Sequence, residues 1–201
     1  MDFLLAAALL LLGLWFLNSS EQRRRIVVLS THFQPYRIEK MMESLVDGYL
    51  RCLGESDAQR REQIWQVLDA TEATLASQFQ SFANDFERVD DRLARVLKLP
   101  VAIPMLGQVI PGLSFDVRQL FQVHARGIAE VAGNREGRKP RDKAYMMSAE
   151  LLLMQHTCHW YCRSKSVASA RMLARHKTAY AQLLGAVSPG TRAGYREVVG
   201  V

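Results

Sequence analysis

The densest collection of reactive side chains in the sequence is Gln155, His156, Cys158, His159, Trp160, Tyr161 and Cys162. Thiolate and imidazole suit zinc, copper or haem iron. At 100° per residue on a helix, Cys158, His159 and Cys162 fall within an arc of about 100°, while His156 points elsewhere. Those three are the candidate metal ligands, and a thiol switch is the other chemistry they allow. Two features weigh against a metal. Structural zinc sites usually draw ligands from a knuckle and a second element, and the order H-T-C-H-W-Y-C lacks the C-x-x-C-H pattern of haem attachment. The reading favoured is therefore non-catalytic: small thiols buried beside polar-tipped aromatics, with no cofactor.

No other pattern supplies an enzyme. The sequence has no Gly-rich phosphate loop, nucleophile elbow, H-E-x-x-H or paired carboxylates. A Cys–His nucleophile would also lack an orienting third group. Asp85, Glu87, Asp90 and Asp91 alternate with Arg88, Arg92 and Arg95 as a solvated face does. His124 sits at an apolar spacing and reads as a satisfied core histidine.

The cluster has to be held by the rest of the chain, which starts with MDFLLAAALLLLGLWFL, uncharged after Asp2, followed by Arg23, Arg24 and Arg25. Fifteen to seventeen apolar residues rise roughly 25 Å as a helix, enough to span with local thinning. A cleavable signal peptide would carry Lys or Arg before the run and small residues after it, whereas here Trp15, Phe16 and Leu17 close it. Residues 1–20 thus read as a transmembrane anchor, and 21–35 as a basic juxtamembrane segment. Arg23, Arg24 and Arg25 would sit at the membrane interface and keep the bulk of the chain in the cytoplasm. Three cysteines with no dense framework agree with a reducing compartment. Compactness and the lack of eukaryotic sorting signals point to a bacterial inner membrane, crossed once.

Residues 36–185 read as one mainly α-helical bundle domain. Ile38, Met41, Met42, Leu45, Val46, Tyr49, Leu50 and Leu53 recur at threes and fours over 36–53. Leu68, Leu75, Phe79, Phe82, Phe86, Val89, Leu93 and Val96 make a seam over 57–98, a central helix approaching ~60 Å if unbroken. Phenylalanines in that seam favour packing inside a bundle; self-association into a homo-oligomer through a coiled coil is the alternative. Residues 99–115 carry no charge but three prolines and two glycines, so an unbroken helix is not expected. They read first as a buried connection, second as an apolar loop touching the bilayer, and last as another span. Helices are expected over 116–131 and about 142–185, and 186–201 as a peripheral tail.

Charge is uneven. Residues 1–115 hold 12 basic and 14 acidic groups, and residues 116–201 hold 14 and 6. Arg135, Arg138, Lys139, Arg141, Lys143, Arg171 and Arg175 form the expected basic surface, suited to anionic lipid headgroups. Nucleic acid ranks below lipid, because no reader module accompanies the arginines. The expected function is a non-catalytic subunit or assembly factor, a scaffold that binds the bilayer and other subunits of a membrane complex. The rivals are a tethered metal or haem redox protein and a peripheral binder of lipid or nucleic acid.

Overall fold

A computed structural model describes residues 2–104 and 106–200, leaving aside the side chains of Asp2, Phe3, Gln108 and Pro111. Met105, inside the uncharged segment, lies outside the described residues. The fold is mainly α.

Helix α1 runs without interruption over Asp2–Phe33, so Ile26 to Leu29 extend the N-terminal apolar helix despite three β-branched residues. Among the described residues it is the one helix long and apolar enough to cross a membrane, and none of its apolar window is buried in the fold. Its last two turns enter the domain, where Val28, Leu29 and Phe33 pack against the core. Pro35 then stops it in a 3-10 turn over Gln34–Tyr36.

Helix α2 covers Ile38–Gly54 and buries Ile38, Leu45, Tyr49 and Cys52. Gly48 sits against Leu68, where a Cβ would come within 2.3 Å of the Leu68 methyl Cδ2. That close approach is the reason for a glycine within a helix. Asp57 caps α3, Ala58–Phe86, by accepting from the Arg60 amide. The expected rod to residue 98 is corrected here: α3 ends at Phe86. Asp90 starts a new short helix, α4 over Asp91–Ala94, and Arg118 donates to the carbonyls of Glu87 and Val89, fixing the turn. Val96 then lies in a strand, β1 over Arg95–Leu97, paired antiparallel with β2 over Ser114–Asp116.

The uncharged segment is the loop of this ribbon. It holds the single turn α5, Leu106–Val109, and a 3-10 turn over Pro111–Leu113, with Val101, Ile103, Val109 and Ile110 exposed. Helices α6, Val117–Gly133, and α7, Pro140–Cys162, follow. Arg163 and Ser164 break the expected long helix, and the Ser164 hydroxyl caps α8, Lys165–His176. Lys177 adopts a left-handed conformation at its end, and α9 spans Tyr180–Ala186. The tail is not peripheral: Ser188 and Pro189 start α10, Pro189–Val199, which buries Thr191, Tyr195 and Val199. The core centres on Phe79, Phe82, Phe86 and Phe121, all fully buried.

Candidate functional site

Four elements meet around the His/Cys cluster. The C-terminal end of α1 contributes Ile26, Leu29 and Phe33; α2 contributes Glu39 and Met42. Helix α7 presents Met154, Gln155, Cys158, His159 and Cys162, and Arg163 with Arg171 of α8 closes the rim. The result is an open groove of about 320 Å³, apolar at its floor and charged at its edge. It brings together Cys158, His159, Cys162 and Arg171, which are spread over 14 positions of sequence but lie on two adjacent helices.

Burial governs the titration of the cluster. Cys158 donates weakly to the Met154 sulfur at 3.8 Å, and burial pushes its thiol well above the ordinary range. Burial likewise pushes Cys162 up to about 11, with Arg25 nearby opposing the shift. His159 is lowered by burial and by the Arg171 guanidinium, which approaches Nδ1 at 3.2 Å. Thiols held protonated are poor nucleophiles. Among the described residues, no three His, Cys, Asp or Glu side chains converge to hold a metal ion. All three cysteines are free.

Arg25 couples α1 to this domain. It pairs with Glu21 at 2.6 Å and donates to the carbonyls of Arg95 (2.7 Å) and Tyr161 (3.3 Å), with its guanidinium over the Tyr161 ring. It is therefore a structural bolt rather than a headgroup contact. Arg23 and Arg24 remain exposed.

The expected basic surface needs two corrections. Lys143 is buried: its ammonium lies 2.6 Å from both Asp69 and Glu72, and the Tyr49 hydroxyl donates to Glu72 from the other side. Arg138 is largely covered and pairs with Glu136 and Glu130. Arg135, Lys139, Arg141, Arg171 and Arg175 are exposed as expected.

Sequence reasoning missed the buried polar groups. Glu72 stands in the seam between Leu68 and Phe79, and that placement was the available signal. Glu150, fully buried, accepts from the Ser188 amide at 2.9 Å and so holds the start of α10. His124, read as a core histidine, is fully buried with Nε2 2.9 Å from the Thr157 hydroxyl. His156 stacks on Tyr180 and lies 3.1 Å from the Ser169 hydroxyl.

A second surface continues from the groove. Beyond Met42, α2 exposes Val46, Leu50 and Leu53 at 43%, 66% and 57%, on a face next to but distinct from its core face. The spacing of four, four and three makes one stripe along the helix. In comparisons with known proteins the chain matches no family model, no curated protein and no solved structure.

Proposed function

We propose that this protein is a non-catalytic, membrane-anchored subunit or assembly factor that docks an apolar segment of another subunit of a larger membrane complex. The observation that carries this reading is the continuity of the groove with the α2 stripe. Contiguous exposed apolar surface is costly in water and marks interaction sites. A groove floored by Ile26, Leu29, Phe33 and Met42 and extended by Val46, Leu50 and Leu53 fits an amphipathic helix. Glu39 at one edge and Arg171 at the other would orient such a helix by charge.

The bolt at Arg25 supports the same role, because it transmits the position of the anchor to the groove with no flexible linker between them. In this reading the domain faces the cytoplasm of a bacterial cell, since Arg23 and Arg24 follow the span on the domain side. Protonated thiols and the absence of converging ligands among the described residues disfavour the redox alternative.

The test is isolation of the full-length protein from its native membrane in mild detergent. A defined partner should co-purify in fixed ratio, and Leu50→Asp with Leu53→Asp should release it while circular dichroism stays unchanged. A protein that emerges alone, or a partner retained by the double variant, contradicts the proposal.

A further inference from the structure

We infer that the tip of the β1–β2 loop, residues 99–104 and 106–110, is a second membrane contact, seated in the interfacial zone of the bilayer that α1 crosses. The inference rests on α1 being a span, as in the proposed function, and is independent of any protein partner.

The loop climbs α1 toward its apolar run. Arg25 touches the carbonyl of Arg95, at the base of the ribbon. Val101, Ala102 and Ile103 line a cleft together with Asn18 and Gln22. Pro104 shares a second cleft with Leu17 and Ser20, where the anchor becomes wholly apolar. Between Arg25 and Leu17 a helix rises about 12 Å, so the loop reaches the level at which α1 enters hydrocarbon.

Its composition suits that depth. Residues 99–115 carry no charge, and Val101, Ile103, Val109 and Ile110 are 57%, 40%, 72% and 45% exposed. The second cleft carries Arg24 and Arg92 beside Glu21 and Asp90, a charged rim at the level of the headgroups above the uncharged loop. Several backbone groups of the loop, the usual obstacle to placing a loop near lipid, are engaged within the protein, and an interfacial seat leaves the others within reach of water and headgroups. The Ile110 amide donates to Leu106, Leu113 to Ile110 and Lys98 to Leu113. The Pro100 carbonyl accepts from both the amide and the hydroxyl of Ser166. Pro100, Pro104 and Pro111 have no N–H to satisfy. The occupant that fits is therefore the interfacial zone of a phospholipid bilayer.

The test uses the full chain with Cys158→Ser and Cys162→Ser, leaving the fully buried Cys52 in place. A fluorophore sensitive to polarity is attached at Val101→Cys, at Leu10→Cys or at Tyr145→Cys. The proteins are reconstituted in vesicles of phosphatidylglycerol and phosphatidylcholine carrying a nitroxide near the headgroup end of the acyl chain. Position 101 should shift to the blue and be quenched several-fold more than position 145. Quenching at 10 with none at 101 overturns the inference while sparing the anchor; no quenching at either removes both. Because labelled variants can misfold, the unmodified chain is also reconstituted with an acyl-diazirine lipid and photolysed. Lipid adducts on the tryptic peptide beginning at Leu99 are expected, and adducts confined to residues 2–22 overturn the inference.

Discussion

Truncating Phe82 to Ala should unfold a large share of the molecule, because its ring joins the anchor helix to the bundle. The side chain is fully buried. Its centroid lies 4.8 Å from Phe33 of α1, 5.3 Å from Phe79, 5.1 Å from Phe121 of α6 and 5.5 Å from Phe86. Removing a buried Phe costs ~3–5 kcal/mol through lost transfer energy and the cavity left behind. With Tyr36 at 6.3 Å these make five ring partners, each worth roughly 0.5–1.5 kcal/mol beyond area, which puts the expectation near the upper end. Against a typical stability of about 5–15 kcal/mol, that is a third or more of the total. Pulse proteolysis of the full chain in micelles across a urea series reads the loss. Phe82→Leu, which keeps most of the volume, should lose less than ~1.5 kcal/mol. A loss below ~1 kcal/mol for Phe82→Ala would refute the packing of α1 against α3.

Two further outcomes follow from buried titratable groups. Burial pushes His124 down to about 3 and His156 down to about 4, the latter helped by Lys165. Both lie below the ordinary 6.5, so the unfolded chain binds more protons between about pH 4 and 6.5 and stability falls as pH falls through that window. At about 1.4 kcal/mol per unit of pKa difference the pair removes several kcal/mol, and His156→Gln should flatten the slope in pH-dependent urea denaturation. Lys143→Met should cost ~3–5 kcal/mol, since it strands the Glu72 carboxylate in the core, whereas Arg141→Ala on the surface should change stability by less than ~0.5 kcal/mol. Equal effects in thermal unfolding would return Lys143 to the surface.

Much of the helical core was legible, because threes and fours in the sequence report burial directly. Leu45, Tyr49, Leu68, Leu75, Phe79, Phe82, Phe86 and Phe121 occupy the interior as their spacing implied. What the period does not record is where a seam changes partner. Val96 keeps the rhythm of α3 yet belongs to a three-residue strand, whose pairing with Phe115 is a contact across nineteen positions. Lys143 looked solvated because it follows a Gly/Pro-rich basic run; only Asp69 and Glu72, brought alongside by the packing, make its burial affordable. The last helix was hidden by Gly190 and Gly194, although Thr191, Tyr195 and Val199 already stood at a spacing of four. The His/Cys cluster was visible as residues and invisible as a site, since its groove needs Ile26, Phe33 and Met42 from elements more than a hundred positions away.

Docking through the groove and the α2 stripe is tested most directly by photo-crosslinking in native membranes with a benzophenone amino acid at Leu50. Tyr145, exposed on α7, serves as the control position. The account predicts one adduct of defined mass from position 50, containing a membrane protein, and none from position 145. No adduct at 50, or the same ladder of adducts from both positions, would contradict it.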